Sequence, residues 1–230
     1  MNTQPAFFFD LDDTLYDHFS PFLQAVRHVL APDETSVDIT RLFHTMRSYG
    51  DLLWPRYDRG EVGLDELKRV RMEQACDELG IELDRERSLL FQQDYLERQS
   101  RFGWFPGARE LLGRLIAAGY VVGIITNGPE DYQWAKIRGL GLDRIIPAER
   151  IFISGAVGLA KPDPAIFAHA NRMTGTEASA SVYIGDSWEK DIAGALAAGW
   201  QAGWFNERGL VPAAGHKPHF EFSRYAELDL

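Results

Sequence analysis

The chain has 230 residues, 45% hydrophobic and 25% charged, with a formal net charge of −10 and one cysteine. That length suits one large domain, or one domain with a smaller insert, and allows a core that needs no staples. The negative field disfavours a nucleic-acid module but not a small anionic substrate held by a local cation. The lone Cys76 excludes an intramolecular disulfide and a cysteine-built zinc cluster.

Residues 6–11 form a Phe-rich apolar run, predicted to be a strand buried on both faces, and it ends abruptly in acidic residues. Residues 17–99 carry only helical patterns. Ser20-Pro21 opens a first helix with Phe22, Val26, Val29 and Leu30 on one face. Ile39, Leu42, Phe43 and Met46 mark a second, Leu64, Leu67, Val70 and Leu79 a third, and Asp84 caps a fourth through Leu89 and Leu96. Residues 53–60, between the second and third, mix Trp54 and Tyr57 with Arg56 and Arg59. They read either as a packed interhelical turn or as a loop whose aromatics stack and whose arginines meet phosphate or sugar. Cys76 is expected to be buried among these helices.

Pro106 suits the first turn of the next helix, which carries Leu111, Leu112, Leu115 and Ile116 and closes at Gly119. Strands are predicted at 120–125, 150–154, 182–184 and 201–206, and a last edge strand near Phe220 follows a loop over 209–218. Helices between them start at Asp163-Pro164, an N-cap and first position, and run over 190–198. Strands alternating with helices predict an α/β fold, a doubly wound and mostly parallel sheet. Residues 1–16 and 100–230 would form this core, and 17–99 an inserted all-helical domain. No basic-then-apolar leader opens the chain and no apolar run reaches the ~20 residues that span a bilayer, so a cytoplasmic protein without a membrane partner is expected.

In open parallel sheets, ligands sit outside the carboxyl ends of the strands. The unusual polar residues fall there: Asp10, Asp12, Asp13 and Thr14 after the first strand, Thr126 and Asn127 after the second, Lys161 after the third, Asp186 and Asp191 after the fourth. Carboxylates so gathered repel unless a cation joins them, and Mg²⁺ on Asp10 and Asp186 would do so. Lys161 would face a phosphoryl group, Asp10 could act as a nucleophile, and Asp12, two residues on, could exchange protons with the leaving oxygen and with water.

Four segments in this order, Asp10-Leu11-Asp12-Asp13-Thr14, Ile125-Thr126-Asn127, Lys161-Pro162-Asp163 and Gly185-Asp186-Ser187 with Asp191, resemble the motifs of the haloacid dehalogenase superfamily, phosphatase branch. The resemblance covers nearly the whole chain, with a helical cap between the first two motifs and a Rossmann-like core. It implies that Asp10 is the nucleophile and a magnesium ligand. Asp12 would be the general acid/base and give its backbone carbonyl to the metal, and Asp186 would complete the metal set. Thr126 and Lys161 would hold phosphoryl oxygens, and Asp191 would orient Lys161 or a metal-bound water. Asn127, with Trp54, Arg56, Tyr57 and His18 from the cap, are candidate substrate contacts. Halide-removing members lack an acid two residues after the nucleophile, so Asp12 favours phosphate chemistry. Asp13 departs from members with Gly there, and Trp188 is bulky for its place. The expected reaction is hydrolysis of a small phosphorylated metabolite, first a nucleoside 5′-monophosphate, with phosphoglycolate or sugar phosphatase, phosphomutase and 2-haloacid dehalogenase as alternatives. A monomer or homodimer is expected.

Overall fold

A computed structural model describes residues 5–30, 37–99, 103–211 and 217–228. The middle of the loop expected over 209–218 lies outside them. The chain divides into two compact units, one drawn from Met1–Asp17 with Gly103–Leu230, the other from His18–Phe102. No helix among the described residues is long and apolar enough to cross a membrane.

The first unit is built on a six-stranded sheet. Its strands are β1 (Ala6–Phe9), β2 (Val121–Thr126), β3 (Ile151–Ile153), β4 (Ser181–Gly185), β5 (Gln201–Phe205) and β6 (Phe220–Phe222). Their order is β3-β2-β1-β4-β5-β6, and every pairing is parallel. β1 and β2 are buried at every position, as the unbroken apolar runs require. The strand order reverses at β1, so a crevice opens at its carboxyl end. β1 stops at Phe9, two residues short of the expected run. Asp10 still donates its backbone N–H to Ile184 O at 2.9 Å, which holds it level with the sheet. Phe8, Phe167, Tyr183, Trp200 and Trp204 pack together beneath one face. The Phe8 ring lies across Gly123, where an added Cβ would stand 2.5 Å from it and 2.7 Å from Arg150 O.

The second unit is helical: α1 (Phe19–Val29), α2 (Ile39–Asp58), α3 (Leu64–Glu78) and α4 (Arg85–Gln99). Its core holds Phe22, Phe43, Met72, Cys76, Phe91 and Tyr95, and burial pushes the Cys76 thiol up to about 11. Asp84 caps α4 as expected, accepting from Arg87 N at 2.8 Å. Residues 53–58 are not a turn. They are the last part of α2, which continues through Pro55 and ends before Arg59 and Gly60. Leu42, Phe43, Met46 and Leu53 are buried at helical spacing, and this apolar stripe outweighs the cost of the internal proline. Trp54 and Tyr57 meet edge to face at 5.5 Å, and the exposed Arg56 pairs with Glu61 at 3.4 Å.

The sheet carries α5 (Ala108–Ala117), α6 (Glu130–Leu140), α7 (Ser154–Val157), α8 (Pro164–Thr174) and α9 (Gly194–Ala197). α5 begins after Pro106 and Gly107, which form a turn ahead of it. Asp163 caps α8 from Ala165 N at 2.9 Å. The helix expected over 190–198 is a π-helical stretch, Trp188–Ala193, that runs into α9. α6 has no counterpart in the sequence reading. Its buried side includes Gln133 and Lys136 beside Ile137 and Leu140, so no clean apolar period marks it.

Gly123→Ala should destabilise the protein by about 1–3 kcal/mol, because neither the Phe8 ring nor the Arg150 carbonyl has room to retreat. A lowered urea midpoint with unchanged m-value is the expected result. An unshifted midpoint would mean that the sheet absorbs the methyl.

Candidate active site

The turn after β1 carries the first half of the site. Asp10 is buried, and Lys161 Nζ donates to its Oδ1 at 2.6 Å. The same ammonium donates to Asp191 Oδ1 at 2.6 Å and to the Tyr183 hydroxyl at 2.8 Å, so its three N–H donors are all used. The Tyr183 hydroxyl in turn donates to Ile125 O at 2.6 Å. Asp191 Oδ2 accepts from Ser187 N at 2.9 Å. Glycine at 185 is what lets Asp191 lie so close to β4, since an added Cβ there would stand 2.4 Å from the carboxyl carbon. Asn127 binds the backbone of the lysine loop. Its Nδ2 donates to Lys161 O at 2.8 Å, and its Oδ1 accepts from Lys161 N at 3.0 Å. The side chain expected to contact substrate pins the loop that delivers Lys161.

Asp12 is buried and bound on both oxygens. Lys136 Nζ donates to Oδ1 at 2.6 Å and to Oδ2 at 2.8 Å, Gln133 Nε2 to Oδ2 at 3.1 Å, and the Tyr16 hydroxyl to Oδ1. Gln133 Nε2 also reaches Thr126 Oγ1 at 2.5 Å. Thr14 Oγ1 lies 3.4 Å from Asp10 Oδ2 and 3.3 Å from Asp186 Oδ1, which brings the ends of β1 and β4 together. Asp13 has a φ of 63°, and among the described residues no other non-glycine has a positive φ. A left-handed backbone explains why Gly suits this position, and Asp is one of the side chains that tolerate it. Its carboxylate accepts from Arg208 Nη2 at 2.7 Å.

Among these groups, five carboxylates (Asp10, Asp12, Asp13, Asp186 and Asp191) meet three cations (Lys136, Lys161 and Arg208), leaving a formal excess of two negative charges. A divalent cation would offset that excess. Oxygens of Asp10, Asp186 and Asp191 lie within 4.8 Å of one another, an all-oxygen set suited to a hard ion. Asp191 accepts close bonds on both oxygens, whereas Asp10 Oδ2 and Asp186 Oδ1 meet the Thr14 hydroxyl only at 3.4 and 3.3 Å, so Asp10 and Asp186 fit the ligand role better and Asp191 fits that of a support for Lys161. Burial pushes the Asp10 carboxyl up to about 6 against the pull of Lys161, and neighbouring Asp191 and Asp12 add to the rise.

The structure thus gathers Asp10, Asp12, Thr126, Lys161, Asp186 and Asp191 in one unit. Trp54, Arg56, Tyr57 and His18 belong to the other. His18 is buried there, with Nε2 at 2.9 Å from the Tyr95 hydroxyl and 2.5 Å from Gln99 Nε2. Trp188 packs against Trp204 at 4.8 Å. Sequence reading missed Tyr16, Gln133, Lys136, Tyr183 and Arg208. A polar pair three residues apart, shortly after the second motif, was the available sign for Gln133 and Lys136.

A family model described as haloacid dehalogenase-like hydrolase matches residues 5–199. Pyrimidine 5′-nucleotidase YjjG of Escherichia coli is 29% identical over 225 residues, covering 96% of this chain and 95% of its own. A glyceraldehyde 3-phosphate phosphatase of Pyrococcus furiosus is 37% identical, but the match spans only 54% of this chain and 45% of that relative. Among solved structures, the HAD-hydrolase YfnB of Bacillus subtilis, bound to magnesium, has a TM-score of 0.68 at 24% identity, covering 98% of this chain and 97% of the other. A dehalogenase reaches 0.75 at 21% identity, covering 99% and 96%. The chain belongs to the haloacid dehalogenase-like hydrolase family.

The raised Asp10 carboxyl fixes a sign for stability against pH. Between about pH 4 and 6 the folded group keeps a proton that the unfolded chain gives up, so its contribution falls as pH rises through that window, by on the order of 3 kcal/mol. Urea titrations with chelator present should show wild type losing that much relative to Asp10→Asn from pH 4 to 6.5. The opposite slope would mean that Lys161 outweighs burial.

Proposed function

We propose that this enzyme hydrolyses a small phosphate monoester, a nucleoside 5′-monophosphate before others, through a phosphoryl group carried on Asp10. The observation that carries the reading is the pair of buried acids two residues apart, Asp10 held by Lys161 and Asp12 by Lys136. A nucleophile alone would serve halide removal. The second acid has a use only where a leaving oxygen must gain a proton.

In the first half, an Asp10 oxygen attacks phosphorus while the bond to the ester oxygen breaks, and Asp12, entering protonated once it has released one of its resting donors, gives that oxygen its proton. In the second, water attacks the aspartyl phosphate and passes a proton to Asp12, which frees Asp10 and phosphate. Lys161 and Thr126 hold the phosphoryl oxygens, so Lys161 must exchange one resting acceptor for substrate. Asp10 and Asp186, with the backbone carbonyl of Asp12, would hold Mg²⁺, which supplies charge neutralisation at the phosphoryl group when bound. The unit of Met1–Asp17 with Gly103–Leu230 is assigned the chemistry, and the helical unit, with Trp54, Arg56 and Tyr57, the choice of substrate. The nucleotide preference is supported by YjjG, whose match runs nearly end to end.

A phosphate-release panel of 5′-nucleotides, sugar phosphates and phosphoglycolate tests this. Pyrimidine nucleotides should give the highest kcat/KM, EDTA should abolish release and Mg²⁺ restore it, and Asp10→Asn should lower kcat by ~10³-fold or more. Faster turnover of a sugar phosphate would overturn the substrate. Undiminished turnover by Asp10→Asn would overturn the mechanism.

A further inference from the structure

Asp12 owes its position to a helix that carries none of the family motifs. Gln133 and Lys136 lie three residues apart on α6, and so on one face. Both are buried, an expensive place for an amide and an ammonium unless they are bonded. Ile137 and Leu140 already pack this helix against the core, so the polar pair adds nothing to its hydrophobic anchoring. What the pair does hold is Asp12. With Tyr16, it fills the roughly four lone-pair directions of a carboxylate. Two contacts from Lys136, one to each oxygen, define the carboxylate plane. Gln133 then fixes that plane relative to Thr126, because one Nε2 donates to both side chains. The Lys136 ammonium is itself held, with Nζ 4.5 Å from the centre of the Tyr132 ring.

We propose that Lys136 and Gln133 are positioning residues for acid–base catalysis by Asp12: they set its carboxyl in one orientation, in register with the phosphoryl-holding Thr126. The proposal rests on the phosphatase reading above. Proton delivery depends on direction, so a carboxyl free to turn would transfer poorly even with its chemistry intact. The deficit should therefore scale with the need for a proton. A nucleotide leaves as a basic alcohol and needs one, whereas p-nitrophenyl phosphate leaves as a stable phenolate and hardly does.

The test measures kcat and KM for a nucleoside 5′-monophosphate and for p-nitrophenyl phosphate in wild type, Lys136→Met, Lys136→Arg, Gln133→Leu and Asp10→Asn, with melting curves for each. Lys136→Met should lose ~30-fold more kcat on the nucleotide than on the aryl ester, with KM little moved. Gln133→Leu should show the same bias in smaller measure, and Lys136→Arg, which keeps a forked cation, should recover much of the ratio. Equal losses on both esters in folded variants would overturn the proposal and leave Lys136 a structural counter-charge. Should Lys136→Met fail to fold, the ratios from Gln133→Leu and Lys136→Arg decide. Asp10→Asn separates the two readings. If it is inactive while the ratios stay flat, this proposal alone fails. If wild type releases no phosphate from either ester, the phosphatase reading fails and takes this one with it.

Discussion

The buried ammonium of Lys161 is the interaction on which the rest of the site depends. It lies between Asp10 and Asp191, donates to both at 2.6 Å, and is itself buried. Two carboxylates this close to one cation carry one negative charge too many. Removing either partner from such a buried cluster typically costs about 3–5 kcal/mol. The surroundings are arranged to keep it intact. Tyr183 takes the third N–H, Asn127 grips the backbone on both sides of the lysine Cα, and the bare backbone of Gly185 admits Asp191. The lysine is held firmly in turn, its proton pushed up to about 12 by the two acids despite its burial.

The acids after β1 are handled in a common way. Asp10, Asp12 and Asp13 each meet a different cation, Lys161, Lys136 and Arg208, and each cation comes from a different part of the chain. Three carboxylates within four residues would repel strongly in a low-dielectric setting. Separate counter-charges keep them individually stable and leave the divalent excess that suits a metal. The left-handed turn at Asp13 belongs to the same arrangement, since it sends that carboxylate to Arg208.

The helical unit follows simpler rules. Its core is a cluster of aromatic rings, with Phe22 within 5.1–5.7 Å of Phe43, Phe91 and Tyr95. Burial of this kind is non-directional, so it fixes that the four helices pack but places few demands on single polar residues. The sequence pattern found those helices, and erred over residues 53–58, set between two helices there, where a continuing apolar stripe carries α2 on through Pro55.

Strand positions, the parallel sheet and the order of acidic and basic residues at strand ends were all readable from the chain, because each follows from local periodicity and from the rule that strand ends carry the site. Asp163 and Asp84 were legible as caps for the same local reason. What only the tertiary structure decided is which group meets which. Lys136 and Gln133 reach Asp12 across more than 120 residues, and Arg208 reaches Asp13 across 195. That Asn127 holds the lysine loop was hidden for the same reason. A hydrogen bond depends on distances of a few tenths of an ångström between groups remote in sequence, and no local pattern encodes these. Periodicity shows which face of an element turns inward. The partner waiting there is set by the packing of the whole sheet.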